Sequence, residues 1–329
     1  MQSHKTRALV SRFSDRFWLA DGGLETTLIF HHGIDLPHFA SFPLLRSDKG
    51  RDRLAAYFDG YLGAARMHGA GFVLDTATWR SGQGWGAIMG LSPEDIDDVN
   101  RDAVTFARGV AASPAAAGLD IVLNGVVGPH GDAYAPDRVL SAAESEDLHG
   151  RQVRTLAGAG VDMVTATTIP TVGEGIGIAR AAIRADVPVV ISFTVETDGR
   201  LVTGQPLGEA IAETEAATGG AVAWYGVNCA HPDHFRGVLE GDWRGRIGMV
   251  RANASRKSHA ELDESTELDA GDAAELAADY HALMAVLPAL RVFGGCCGTD
   301  VSHVAAIGHR CVAHGHAIGN HRKGLAHAG

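Results

Sequence analysis

Three of the four cysteines fall in two short glycine-flanked runs: Cys229 within Gly-Val-Asn-Cys-Ala-His-Pro (226–232), and Cys296 with Cys297 within Gly-Gly-Cys-Cys-Gly-Thr (294–299). Each run follows an apolar, strand-like segment. Three thiolates at two strand ends can hold one zinc ion and leave its fourth position open, the arrangement of a catalytic rather than a structural zinc. A zinc open in that way binds a substrate sulfur and makes it a nucleophile. Adjacent cysteines between glycine pairs have no packing role of their own. The glycines permit a turn tight enough to aim two successive side chains at one point. Buried thiols or a vicinal disulfide are the alternative readings. Cys311 is different in kind: with Val301, Val304, Gly308 and Val312 it falls on one helical face, as a small buried hydrophobe.

The elements that must position these thiols follow from periodicity. Apolar strand-like runs recur at 17–20, 72–74, 121–123, 161–164, 187–192, 221–227, 247–250 and 290–293. Between and after them lie helical patterns at 51–69, 92–112, 141–160, 172–185, 207–218, 233–240, 272–287 and 300–314. Ser92-Pro-Glu-Asp supplies an N-cap, a first-position proline and first-turn acids; Ser141 to Glu144 is a capping-box pattern. Gly69, Gly160 and Gly315 stand where C-caps belong. Near-continuous apolar strands alternating with helices predict a parallel sheet covered on both faces. Eight such units in 329 residues predict a single-domain (β/α)8 barrel of the TIM type in the α/β class, ahead of a doubly wound sheet. The expected boundaries are an N-terminal extension at 1–14, the barrel at 15–315 and a tail at 316–329. Segments 24–49 and 255–270 are expected as insertions after the first and seventh strands.

Composition narrows the function classes. The chain is 46% hydrophobic and 20% charged, with a net charge of −11. Such an acidic protein is a poor match for nucleic acid or an anionic membrane. Residues 1–14 contain no apolar signal region, and no apolar run approaches the roughly 20 residues of a membrane span. Four cysteines in a chain of this length do not make a disulfide scaffold, so a reducing, cytoplasmic setting is expected.

A barrel does its chemistry at the C-terminal ends of its strands. There the sequence places Asp21, Gly22, Gly23 and Thr26; Asp75, Thr76, Thr78 and Trp79; Asn124; Thr165, Thr167 and Thr168; Thr194 and Glu196; Asn228 and Cys229; Asn253; and Cys296 with Cys297. With these motifs the sequence resembles the homocysteine S-methyltransferase family, in particular its stand-alone zinc barrels, which methylate homocysteine to methionine from a sulfonium or betaine donor. The likeness runs from Asp21-Gly-Gly-Leu through Gly226-Val-Asn-Cys to Gly-Gly-Cys-Cys-Gly-Thr299. It implies that Cys229, Cys296 and Cys297 bind Zn²⁺. It also implies that the backbone after Asp21, at Gly22 and Gly23, with Thr26, holds the amino-acid carboxylate. Thr76 and Thr78 match a Thr-x-Thr motif, and Asn253 an Asn after strand 7. The chain ends soon after the barrel, so no cobalamin- or folate-binding region is expected.

Two positions depart from the family pattern. Strand 4 of the family commonly ends in Glu-Thr-Ile-Pro, the Glu contacting the homocysteine amino group. Here Thr167 stands in its place, and a neutral hydroxyl cannot supply a charge-assisted contact to an ammonium. After strand 7, the usual Tyr-Pro-Asn-Ser-Gly reads Arg251-Ala-Asn-Ala-Ser. Glu196 or Asp75 is a candidate to replace the lost acid. The expected chemistry is methyl transfer to a thiol, homocysteine first, with S-methylmethionine or S-adenosylmethionine as leading donors and betaine-like donors open. Alternatives are transfer to or from another thiol, or a non-catalytic zinc- and thiol-binding barrel. A cationic donor suits aromatic faces, which places Trp79 and Trp85, with Glu196, on the donor side. No base beyond zinc is required, so none of the 17 histidines receives a catalytic role; His130, His231 and His259 are expected as ordinary loop side chains.

Overall fold

The computed structural model describes residues 1–313. Eight parallel strands close into a barrel in sequence order: β1 (Trp18–Leu19), β2 (Gly71–Asp75), β3 (Ile121–Val127), β4 (Met163–Ile169), β5 (Val189–Phe193), β6 (Trp224–Asn228), β7 (Ile247–Ala252) and β8 (Val292–Gly295). β8 pairs with β1, which rules out the doubly wound sheet. The helices between strands start and stop where the local chemistry directs. Ser92 and Ser141 both form reciprocal capping boxes, with Asp95 and Glu144. Gly69 and Gly160 end their helices in the left-handed conformation.

Several boundaries differ from the periodicity. β3 and β4 run past their expected ends, to Val127 and Ile169, because Asn124 and Thr165 bond to one another across the interior instead of turning outward. The helix expected over 233–240 is a single turn, Pro232–Phe235, followed by a 3-10 turn. The helix expected from 300 is α-helical only over Val301–Ile307 and then widens to a π-turn at Gly308–Ala313. The cap at Gly315 and the tail at 316–329 lie outside the described residues. The segment set apart as an N-terminal extension is a helix, His4–Ser14, capped by Ser3. Its Leu9 and Phe13 are buried, and Phe13 stacks on Trp18 at 4.4 Å between ring centroids.

Side chains alternate between the two faces of each strand, so the interior is layered. The layer nearest the strand N-termini is apolar: Trp18, Val73, Val122, Met163, Val190, Trp224, Met249 and Val292 cluster with Leu9 and Phe13. Two residues further along, the same strands place Asp75, Asn124, Thr165, Ser192 and Arg251 in a buried polar layer. There Asn124 donates to Asp75 at 2.7 Å and Thr165 donates to Asn124 at 2.8 Å. This polar layer thus lies directly above the sealed apolar end of the barrel.

Candidate active site

Cys229 lies just after β6 and Cys296 and Cys297 just after β8, so the strands flanking β7 bring them together. The Cys229 and Cys297 sulfurs are 3.5 Å apart, and all three lie within 4.8 Å of one another. Sulfurs around a tetrahedral zinc, with Zn–S near 2.3 Å, stand about 3.8 Å apart, so the donor set fits that ion in type and spacing. Among the described residues no fourth His, Cys, Asp or Glu joins them. Cys229 has φ of 54°, a conformation costly for a residue with a Cβ. Its peptide is held from outside: His259 Nε2 lies 2.7 Å from its carbonyl oxygen, and its N–H donates to the Arg251 carbonyl at 3.0 Å.

Hydrogen bonds from Cys296 and Cys297 hold the Cys229 thiol well below its ordinary range, and the same contacts push the partners up, Cys296 to about 12. A divalent cation is what would let all three ionise.

All three sulfurs open on one cavity of about 90 Å³, which is also lined by Asp21, Gly22, Gly23, Thr26, Thr76, Thr78 and Thr167. The two threonines of the β2 motif bond to each other at 2.7 Å, and Thr78 donates to the Val126 carbonyl at 2.6 Å. The Thr167 hydroxyl is buried with no partner. Asn253 is set behind the sulfurs, its amide nitrogen 3.9 Å from Cys229 Sγ and its side-chain oxygen accepting from the Ser255 N–H. Trp79 lines the cavity, its indole donating to the Thr167 carbonyl at 3.2 Å. Trp85 does not. The Arg80 guanidinium fills the space between the two indoles, 4.1 Å from one ring and 3.8 Å from the other, and Trp85 donates to the Pro129 carbonyl. Glu196 is also outside the lining; it meets His259 Nδ1 at 3.4 Å.

The sequence match decides the family: it fits the homocysteine S-methyltransferase family across residues 18–311. The chain belongs to that family. A curated relative, homocysteine S-methyltransferase 4 of Zea mays, is 26% identical over 206 residues, which cover 59% of this chain and 58% of the maize protein. The aligned segment thus spans little more than half of that relative. The fold is that of the Escherichia coli homocysteine methyltransferase MmuM. Its oxidized form superimposes with a TM-score of 0.73 at 23% identity, covering 94% of this chain and all of that one. Its metallated form gives 0.72 at 22% identity, covering 93% and 100%.

Within this homocysteine S-methyltransferase barrel, several site residues escaped the sequence reading. Arg251, noted only as a departure in a motif, is the central cation of the floor. It is buried, pairs with both Asp21 and Asp75, and donates from Nε to the Gly295 carbonyl at 3.1 Å. Gly294 leaves room for it, since a Cβ there would stand 3.3 Å from Arg251 Nε. Asp75 is thereby committed to Arg251 and does not serve as a free replacement acid. Burial, with Asp75 nearby, raises the Asp21 carboxyl to about 7 against the pull of Arg251. The signal in the sequence was an arginine in register with Met249 and Asn253 on an otherwise apolar strand. Tyr134, Phe39 and Glu25 also line the cavity. Glu25 lies in a single helical turn, Phe39 in a 3-10 turn and Tyr134 in an irregular loop, all too short for a period to mark an inward residue.

Of the three histidines near strand ends, His130 is half-buried and donates its backbone N–H to Glu174. His231 and His259 are buried. His259 stacks on Tyr134 at 3.8 Å between centroids, and His231 Nδ1 accepts from the Asp233 N–H at 3.2 Å. His231, Asp233 and Asp279 gather closely enough for a cation. Two guanidiniums already sit on these acids, however: Arg236 on Asp233 at 2.7 Å and Asp279 at 3.2 Å, and Arg256 on Asp233 at 3.0 Å. No described helix is long and apolar enough to cross a membrane.

Proposed function

We propose that this protein is a zinc-dependent S-methyltransferase that moves a methyl group from a sulfonium or betaine-like donor to a thiol, homocysteine giving methionine. The observation that carries the reading is the convergence of Cys229, Cys296 and Cys297 on one wall of a cavity at the C-terminal ends of the strands. The names of its relatives support the acceptor, and the metallated form of the Escherichia coli protein supports the metal.

Cys229, Cys296 and Cys297 would hold the zinc. When bound, that ion supplies the positive charge that lowers an entering thiol's pKa from near 8.5 and fixes its sulfur. The protein does the rest by position and charge. The floor sets two carboxyls, Asp21 and Asp75, against the single cation Arg251, so it has no excess positive charge to repel a cationic donor. The aromatic walls at Phe39, Trp79 and Tyr134 suit a sulfonium or quaternary ammonium and exclude water. In an in-line displacement the acceptor sulfur forms the new carbon–sulfur bond while the donor's bond to carbon breaks. The electron pair leaves with the donor's heteroatom, which becomes neutral. No protein base takes a proton in that step, because the acceptor has lost its proton on binding. Three thiols that must stay reduced suit a cytoplasmic setting.

The test is metal analysis combined with methyl transfer to homocysteine from S-methylmethionine, S-adenosylmethionine and glycine betaine. The expected result is stoichiometric zinc and methionine from at least one donor. A zinc-loaded protein that binds thiols yet transfers no methyl from any donor sinks the proposal and favours a binding module.

A further inference from the structure

Three carboxylates line the cavity: Asp21, Glu25 and Asp75. Asp21 and Asp75 are paired with Arg251. Glu25 makes no ion pair among the described residues. It accepts a hydrogen bond from Ser41 Oγ at 2.8 Å and one from its own backbone N–H, and neither donor carries a charge. The Arg80 guanidinium attracts Glu25 without forming a salt bridge to it; it lies between the two indoles and donates to the Gly131 carbonyl. Glu25 also belongs to the sulfur end of the cavity. It lies two residues beyond Gly23, where an added Cβ would stand 2.6 Å from the Cys296 carbonyl oxygen. Across the cavity, the partnerless Thr167 hydroxyl offers a neutral hydrogen bond and no charge.

Burial raises the Glu25 carboxyl above its ordinary range, and a half-buried carboxylate that faces a ligand cavity without a salt-bridge partner is stabilised as the anion by a cation on the ligand. A sulfonium or quaternary ammonium has no N–H and is matched by the aromatic faces; an ammonium brings three donors, which a carboxylate accepts in directed, charge-assisted bonds. We propose that Glu25 binds the ammonium of a thiol amino-acid acceptor, so that in this chain the charge for the amino group comes from the loop after β1 and Thr167 on β4 adds only a neutral contact. The proposal rests on the thiol-acceptor reading above and refines it.

The test is calorimetry on the zinc-loaded full-length protein with homocysteine and with 4-mercaptobutanoate, the same chain without the amino group. Wild type is expected to prefer homocysteine, and Glu25→Gln to lose that preference by about 10- to 100-fold, the value of a charge-assisted hydrogen bond. Binding of 4-mercaptobutanoate and zinc content stay unchanged. Glu25→Asp, which keeps the charge, retains part of the preference, and Glu25→Gln combined with Thr167→Glu restores it from the other wall. Equal affinity of wild type for the two thiols, an equal loss for both in Glu25→Gln, or a rise only in donor KM overturns the proposal. Because binding is read without turnover, intact discrimination with no methyl transfer would count against the methyltransferase reading and leave the role of Glu25 standing.

Discussion

The two ends of the barrel are built from the same strands and behave as opposites. At the N-terminal end, Val73, Val122, Met163 and Met249 meet Phe13, Trp18 and Trp224 in an apolar plug closed by the first helix. Two residues later, β2, β3, β4 and β7 carry Asp75, Asn124, Thr165 and Arg251. The lower end is held by close packing alone: the Trp18 and Trp224 indole N–H groups buried in it have no hydrogen-bond partner among the described residues. The upper end holds groups that are costly to bury unless each meets its partner, so it is specified atom by atom. The close-packed lower end supports the polar one. The strained Cys229 backbone and the buried ions stand on that support.

Variants at each end put this contrast at risk. The largest effect is expected at the top: Cys229→Ser should abolish stoichiometric zinc binding and methyl transfer, with circular dichroism unchanged. Retained zinc would show that two thiols suffice and that the third is a packing residue. Next, Arg251→Met leaves Asp21 and Asp75 buried without a cation and should destabilise by about 3–5 kcal/mol in denaturant unfolding. The triple variant that also carries Asp21→Asn and Asp75→Asn should regain most of that loss. At the bottom, Phe13→Ala should cost about 3 kcal/mol through the cavity it leaves between Trp18 and Trp224, with both KM values unchanged. A changed KM would mean that the plug reaches the site. The smallest effect is a slope. Burial raises the Asp21 carboxyl from 3.8 to about 7, so the folded protein binds that proton more tightly than the unfolded chain. The stability it contributes is full below about pH 4 and is lost as pH rises through about 7. Asp21→Asn, which cannot titrate, should flatten the unfolding free energy over that window; an unchanged slope would assign it to other groups.

How far the site was legible depended on whether a residue lay on a periodic element. Cys229, Cys296, Cys297, Asp21 and Thr167 sit at the ends of apolar strands, and the barrel brings all of them to one cavity. The apolar run of the third strand stops at 123, yet Asn124 and Gly125 continue β3, because Asn124 finds Asp75 and Thr165 inside the barrel. The first helix has its cap at Ser3 and apolar residues at Leu9 and Phe13. Its short pattern gives no hint that the open barrel end is its partner. Trp85 was near the right loop, but Arg80 claims its ring face.

The sequence by itself determined a parallel eight-stranded barrel and a cluster of three thiols, because strand period, helix caps and glycine-flanked cysteines are local patterns that need no distant partner. Only the tertiary structure decided the charges of the site. Whether Asp75, Asp21 or Glu25 is left open to a ligand depends on where Arg251 and Arg80 end up, and the contacts of Arg251 with Asp21 and Asp75, like that of Arg80 with Gly131, join residues far apart in the chain. A carboxylate's chemistry is set by its neighbours in space: Arg251 closes off two of these acids, and Glu25 has no salt-bridge partner among the described residues.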